Sequence, residues 1–326
     1  MKAIFTVDVE GHVGNDPIRH LIYGEASNGK KYGMDMIMDL LDRNGGRGLF
    51  FVDIAAAWDY GEEGVNSVLR HIKDRGHDVG VHIHPDHMAD KSRCFLHEYS
   101  YDEQYDIISK CTDFYEDVLK ERPKAFRAGK YGANRDTLDI IAGLGYAADF
   151  SQFYGRKWCR IDPPCSKIKR VQLENGLIEI PVTVFKSFDN AFYERFDKID
   201  ATQPYPEFKW VMSEMTDRKL CDTVVLFAHS FSFLNWRSHP DRPSFSPAKY
   251  NRLQKQIEYV ISENKVKFCS LEDLLDVTEL ESFDKSEEDI ATVRGWLAGI
   301  SLLYRTGMVL RSKLDICIRN LRGEYQ

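Results

Sequence analysis

Seven residues at the ends of short apolar runs have the types and spacing to do chemistry together. Asp8 and Glu10 close the run that begins Ala3-Ile4-Phe5-Thr6-Val7, and His82, His84 and His87 follow Val79-Gly80-Val81. Residues two apart on a strand point to the same side, so Asp8 with Glu10, and His82 with His84, make two same-facing pairs. Two acids held together repel, and a bound cation relieves the repulsion. Imidazole is the commonest nitrogen ligand for such a cation near neutral pH. One acid as general base and the other as a metal ligand, beside two or three imidazoles, equips a site for metal-assisted hydrolysis. For any single histidine a helix cap or a core hydrogen bond is the ordinary alternative. Three of the ten histidines within six residues argue for metal.

Two further pieces complete the set. Arg127, in Phe126-Arg127-Ala128-Gly129-Lys130-Tyr131-Gly132, ends another apolar run. An arginine there can pair with a catalytic carboxylate and hold it ionised, and the two glycines permit close backbone approach. His229 ends Leu226-Phe227-Ala228, where an imidazole is placed to protonate a leaving group. A satisfied core histidine is the bland alternative there.

The elements that must position these residues alternate regularly. Strands are expected over 3–8, 48–53, 78–83, 124–128, 145–149, 222–228 and 265–269, and helices over 33–43, 62–74, 102–119, 134–143, 204–217 and 247–263. Such βα alternation predicts an α/β fold with a parallel sheet or barrel, whose chemistry gathers at the carboxyl ends of the strands. Around Asn175-Gly176, residues 168–173 and 177–181 read as a hairpin with a type I′ turn.

The bulk numbers narrow the class. The 326 residues are 43% hydrophobic and 29% charged, which is globular and suffices for one large or two ordinary domains. The net charge of −7 argues against a nucleic-acid partner. Seven scattered cysteines without a CxxC pair read as reduced thiols. An apolar strand beginning by the third residue leaves no room for a signal peptide, and no apolar stretch is long enough to span a membrane. A cytoplasmic location is expected. The pattern divides into a catalytic barrel over 1–276, an acidic linker over 277–290 with six acids against one lysine, and a basic amphipathic helical tail over 291–326 with six Lys/Arg against two acids. Val293, Trp296, Leu297, Ile300, Leu303 and Tyr304 recur there at helical spacing. The tail either packs back on the barrel or rests on an anionic surface such as the inner face of a membrane.

The order of the pieces is more telling than any one of them. Asp-x-Glu, the histidine cluster, Arg-Ala-Gly-x-Tyr-Gly and a late strand-end histidine together resemble the polysaccharide deacetylases, carbohydrate esterase family 4. Gly48-Leu49-Phe50-Phe51-Val52, Gly76-His77-Asp78-Val79-Gly80 and Ile178-Glu179-Ile180-Pro181 are similar to that family too, so the resemblance covers about residues 1–276. It implies a distorted parallel (β/α) barrel of about seven strands with a C-terminal helical extension. It also implies one divalent ion, zinc in the first place, and removal of an N-acyl (N-acetyl) group from a sugar or glycan precursor. By position it makes Asp8 the general base, Glu10 a metal ligand where the family more often has Asp, His82 the first imidazole ligand, Arg127 the partner of the base and His229 the catalytic acid. The family's usual second histidine falls on Asp86, so the second nitrogen ligand is His84 or His87, or Asp86 substitutes; members with a His-x-His-Pro segment favour His84. Asp149 fits a further family motif, while Phe153 and Tyr154 stand where a Trp is expected. Tyr131 and Trp236, the latter in Asn235-Trp236-Arg237-Ser238-His239-Pro240, are candidate substrate-binding residues. Phe185, Phe188, Phe192 and Tyr193 are expected mostly as core. Two other readings use the same residues: a different metal-dependent C–N amidase, acting on a formyl group or a ureide, and a lapsed member that binds glycan without cleaving it.

Overall fold

A computed structural model describes residues 1–11, 13–237, 239–278, 280 and 288–321. Most of the acidic stretch and Ser238 therefore lie outside the described residues. Strands β1 (Lys2–Val9), β2 (Gly48–Asp53), β3 (Asp78–Ile83), β4 (Ala125–Ala128) and β5 (Ala148–Asp149) alternate with helices α1 (Met34–Arg43), α2 (Ala57–Tyr60), α3 (Glu62–Asp74), α4 (Tyr101–Leu119) and α5 (Arg135–Gly143). Two antiparallel pairs follow, β6 (Val171–Gln172) with β7 (Ile178–Glu179) and β8 (Val184–Asp189) with β9 (Glu194–Lys198). After them come α6 (Tyr205–Asp217), β10 (Thr223–His229), the ribbon of β11 (Leu234–Asn235) and β12 (Ser244–Phe245), and α7 (Pro247–Ser262). β13 (Lys267–Phe268), α8 (Leu271–Leu275) and α9 (Trp296–Leu321) end the described chain.

The main sheet runs β10-β1-β2-β3-β4-β5-β7 with every neighbour parallel, seven strands as expected in number, although the seventh place is taken by β7 of the hairpin and not by the strand expected over 265–269. β6 adds an antiparallel edge, and β13 pairs with the start of β1. Ile178 of β7 and Val225 of β10, at opposite ends of this order, share one apolar cluster with Ile4, Leu49, Phe51 and Phe150. The sheet is therefore curled into a distorted, incompletely closed barrel. The gap is bridged by chain rather than by a strand: Val225 N–H donates to Thr183 Oγ1 at 2.8 Å, Phe227 N–H to the Ile199 carbonyl at 2.9 Å, and Ala201 N–H to the Phe227 carbonyl at 2.8 Å. Leu271 and Leu274 of α8 join the inner cluster. The alternate residues of β1 to β4, among them Phe5, Val7, Phe50, Val52, Val81 and Phe126, pack outward with the helices.

Local signals set several boundaries. Ser100 caps α4 by accepting from Glu103 N–H while the Glu103 carboxylate accepts from Ser100 N–H at 2.8 Å, a reciprocal capping box. The hairpin around Asn175-Gly176 forms, but its turn differs from the expected type I′. Gly176 N–H donates to the Leu173 carbonyl at 3.0 Å, and Gly176 at φ +88° holds the only positive φ in the turn. That is the three-residue type I turn closed by a left-handed glycine; Asn175 instead accepts from Leu177 N–H with its side chain at 3.2 Å.

The C-terminal stretch packs on the barrel. Glu288 is buried and accepts from Ser166 Oγ at 2.6 Å and Lys167 N–H at 2.8 Å. Val293 N–H donates to the Lys186 carbonyl of β8, and Val293 and Leu297 are buried. Arg305 is 6% exposed and bonds Asp197 of β9 at 2.6 Å and Glu207 of α6 at 2.8 Å. The opposite side of α9 stays exposed at Trp296, Ile300, Leu303, Leu310 and Leu314. Val293, expected on the helix, precedes it in contact with β8, and the remaining apolar spacing of the tail serves two sides of α9. Of the four aromatics near β8, Phe185 is core, whereas Phe192 and Tyr193 are exposed at the hairpin tip.

Candidate metal and hydrolytic site

Strand register assembles the site. Side chains at alternate positions enter the barrel, so the apolar inner residues Ile4, Leu49, Phe51, Ala125 and Val225 are continued on the same side by Asp8, Asp53, Arg127 and His229. Asp8 lies opposite both His229 and Phe51, and His82 lies opposite both Asp53 and Arg127. Side chains that are distant in sequence thus meet just above this apolar cluster, at the carboxyl ends of the strands.

Glu10, His82 and His84 are buried and offer three ligand atoms within 4.8 Å of one another. Glu10 Oε2 is 3.2 Å from His82 Nε2 and 2.6 Å from His84 Nε2. His82 Nδ1 sits 2.8 Å from the Arg127 carbonyl. Donation from Nδ1–H to that carbonyl leaves the Nε2 lone pair facing the other two donors, the arrangement that orients metal-bound histidines. Burial opposes a charge on His84, but the charge of Glu10 and its hydrogen bond outweigh burial and raise the His84 pKa to about 9. A divalent cation would replace that proton. The donor set of two imidazoles and one carboxylate fits such an ion. Gly129 is required here, because a Cβ on it would lie 2.5 Å from the Ile83 carbonyl and 2.9 Å from the His84 ring.

His87 stands apart from this trio, and Asp86 does too. His87 is buried, with Nδ1 at 2.7 Å from Asp59 and Nε2 at 3.4 Å from Asp53. Its ring faces two carboxylates on the α2 side because Pro85–His87 turns as a short 3-10 helix, which rotates His87 out of the strand's alternation. Asp86 is 3.8 Å from Lys130 and 4.0 Å from Nδ1 of His84, the ring nitrogen turned away from Glu10. The geometry therefore favours His84 as the second imidazole of the cluster.

Asp8 is the partner of Arg127 as expected. The Arg127 guanidinium is fully buried and donates to Asp8 Oδ1 at 2.6 Å, to Thr6 Oγ1 at 3.1 Å and to the Phe150 carbonyl at 3.3 Å. Rings of Phe51, Phe227 and Phe150 lie 4.2, 5.6 and 5.7 Å from it, a desolvated cation–π enclosure. Burial pushes the Asp8 pKa up, but Arg127 foremost, then His82 and His229, pull it down further, so the carboxyl stays below its usual range. His229 Nε2 is 3.4 Å from Glu10 Oε1, and burial lowers its pKa to about 4 against the pull of Glu10 and Asp8. Its ring stacks on Phe231 at 4.7 Å, and Phe231 meets Trp236 edge-on at 5.3 Å, which places Trp236 one ring away from the centre. Tyr131 is buried, with its hydroxyl 2.9 Å from Lys198 Nζ, and both Lys130 (φ +52°) and Tyr131 (φ +61°) hold left-handed backbone. Such strain in non-glycine residues clusters at functional sites.

Asp53 escaped the sequence reading. It is 1% exposed, accepts from His84 N–H at 3.2 Å and buttresses His87. Its signal was available: Phe51-Val52-Asp53 ends an apolar run with an acid, as Val7-Asp8 does. Lys198 was missed because it precedes an irregular segment whose place in the barrel gap no local pattern announces.

Residues 28–148 match the family model described as polysaccharide deacetylase. The chain is thus similar over that segment to a family of deacetylases, the one that the order of its motifs resembles. The matched span includes His82, His84 and Arg127, while Asp8, Glu10 and His229 reach them through the strand register. A structure from Mycobacterium smegmatis described as a polysaccharide deacetylase is 18% identical, with a TM-score of 0.58, over 90% of this chain and 93% of the other. Another so described, from Pseudomonas aeruginosa PAO1, is 16% identical at a TM-score of 0.52 over 84% and 89% of the two chains. The Puue allantoinase is 14% identical at 0.51 over 84% and 88%. At these identities the likenesses show the fold. No curated protein sequence matches the chain.

Proposed function

We propose that the protein is a metal-dependent hydrolase that removes an N-acyl group, N-acetyl in the first place, from a sugar of a surface-glycan precursor. One observation carries the reading: Glu10, His82 and His84 form a buried ligand set beside the Asp8–Arg127 ion pair and His229 at one barrel mouth. Zinc suits the donors, and when bound it would supply Lewis acidity to a water and to the acyl carbonyl. Asp8, held ionised by Arg127, accepts the proton of the attacking water. The backbone N–H of Tyr131, presented by its left-handed turn, stabilises the developing oxyanion. His229 is neutral at rest and is placed to carry a proton to the departing amine once turnover supplies one.

The free thiols of Cys94, Cys111, Cys159, Cys165, Cys221 and Cys269 support a reducing, cytoplasmic setting. Among the described residues no helix is long and apolar enough to cross a membrane. The exposed apolar side of α9, in a segment with six Lys/Arg against two acids, supports peripheral contact with anionic lipid, where a lipid-linked precursor would be met. The test is release of acetate from N-acetylated sugars, with N-formylated sugars and ureides as parallel substrates, by protein whose metal content is measured. Metal-loaded protein that hydrolyses only the formyl or ureide substrates makes the enzyme another amidase. Protein that holds no metal and cleaves nothing is a lapsed glycan binder.

A further inference from the structure

The barrel mouth holds two cations that the hydrolytic site does not use. Lys198 ends β9 immediately before the segment that bridges the barrel gap, so the pairing of Ile199 and Ala201 with Phe227 carries its side chain to the site. Its Nζ lies over the Phe227 ring, 2.9 Å from the centroid, and 2.9 Å from the Tyr131 hydroxyl. The opposite neighbour of Phe227 is His229, with ring centroids 4.7 Å apart. Arg156 reaches the same place from the other side. Its guanidinium stacks 4.4 Å from the Phe153 ring, and Phe153 meets Tyr131 edge-on at 5.1 Å. A continuous line runs from Arg156 through Phe153, Tyr131 and Lys198 to Phe227 and His229.

These two cations differ from the arginines and the lysine nearest the mouth. Arg127 is bound to Asp8, Arg195 to Asp197, Arg305 to Asp197 and Glu207, and Lys186 to Asp189 and Glu194. Lys198 and Arg156 make no ion pair among the described residues. Of the nearby acids, Asp197 takes Arg195 and Arg305, while Asp200 accepts on its Oδ1 from Thr202 N–H at 2.8 Å and Thr202 Oγ1 at 2.6 Å and acts on Lys198 only through space. Two partly buried cations set against aromatic faces, with no carboxylate of their own, are costly unless an anion completes them. Burial in fact pulls the Lys198 pKa down to about 7, with Arg127 and Arg156 adding to the fall and Asp200 and Asp8 opposing it. Arg156 lines a cleft of about 430 Å³ with Phe153, Tyr154, Lys157, Arg160 and Phe196, where three cations face one acid, Asp162.

We infer that Lys198 and Arg156 form a subsite for an anionic substituent of the substrate, a phosphate or a carboxylate carried by the acylated sugar. This rests on the deacylase reading and deepens it: the substrate is a charged sugar rather than a neutral glycan. Tyr131 orders the subsite by holding Lys198 while its backbone serves the reacting carbonyl.

Purified metal-loaded protein, with Lys198→Met, Arg156→Met and Lys198→Arg variants of unchanged metal content, tests it in two ways. Calorimetry with inorganic phosphate should show binding that weakens about tenfold in each Met variant, the size of one lost charge-assisted hydrogen bond, and that returns in Lys198→Arg. Equal phosphate affinity in wild type and both Met variants means that phosphate meets only the metal, and overturns the inference. Kinetics then compare N-acetylglucosamine 1-phosphate, an N-acetylated uronic acid and neutral N-acetylglucosamine. The wild type should favour an anionic substrate in kcat/KM, by an amount that falls about tenfold in Lys198→Met; the better of the two anions identifies the substituent. A wild type that prefers the neutral sugar overturns the subsite. Hydrolysis of none of the three defeats the deacylase reading instead, and the phosphate result still decides the subsite.

Discussion

Replacing Arg127 by Met removes the guanidinium that bonds Asp8 while roughly keeping its length and apolar contacts. The pair is 2.6 Å between nitrogen and oxygen, with Arg127 fully buried and Asp8 4% exposed. With charge centres about 4 Å apart and an effective dielectric constant of about 20, the attraction lost is about 4 kcal/mol. Removing that attraction raises the Asp8 pKa, by less than the full Coulomb energy because water enters the site. The sign follows from the direction of the native shift. Asp8 is held below its usual range by Arg127, so the wild-type base is ionised throughout neutral and mildly acid pH. In Arg127→Met the carboxyl rises above its usual range, because burial is no longer opposed by the guanidinium, and activity is lost as the pH falls through that higher value. Stability should move in parallel. The depressed pKa gives wild type a contribution that is present above the unfolded value and lost as pH falls through the folded one; in the variant the raised pKa reverses this, so that neutral pH is the costly region. The assay is kcat/KM against pH from 4 to 8, with thermal midpoints over the same range. Arg127→Lys keeps a cation and should leave the acidic limb nearer the wild type. An acidic limb unmoved in Arg127→Met would refute the argument that Arg127 sets the ionisation of Asp8.

Three further outcomes are expected. Metal content measured after purification without chelator should fall to background in His82→Ala and His84→Ala but persist in His87→Ala, because His87 is turned toward Asp53 and Asp59; retention by His84→Ala would assign the second nitrogen ligand elsewhere. Asp8→Asn and His229→Ala should both keep metal, with His229→Ala slowed by roughly 10²–10⁴-fold, and near-wild-type turnover in single-turnover assays would remove His229 from the mechanism. The two sides of α9 should separate cleanly. Arg305→Met leaves the fully buried Glu207 unpaired, with Asp197 keeping Arg195, and should destabilise the fold by about 3–5 kcal/mol in denaturant titration. Leu303→Glu with Leu310→Glu should leave stability intact and reduce sedimentation with anionic vesicles, and unchanged sedimentation would confine the helix to a structural role.

Much of this architecture is written locally. A short apolar run that ends in an acid, an imidazole or, in β4, an arginine identifies β1, β2, β3, β4 and β10, since a strand buried on both faces must be apolar until it reaches the mouth. The same period of two fixes which residues share a side, so Asp8 with Glu10 and His82 with His84 are legible as pairs before any fold is known. Capping residues such as Ser100 and Glu103 fix helix starts for equally local reasons. The choice among His84, Asp86 and His87 is different. It depends on how the chain turns at Pro85 and on which carboxylates, Asp53 and Asp59, stand across from it, and those come from another strand and another helix. The same holds for the far end of the chain. Spacing shows that the tail is an amphipathic helix, but only the fold places Arg305 between Asp197 and Glu207 and leaves Leu303 exposed. Lys198 shows the limit most clearly. Nothing near it in sequence marks it as a site residue, and it reaches the mouth because the curled sheet leaves a gap that its own segment fills. Short-range periodicity determines which side chains face together along each strand; the long-range closure of the barrel decides which of them meet.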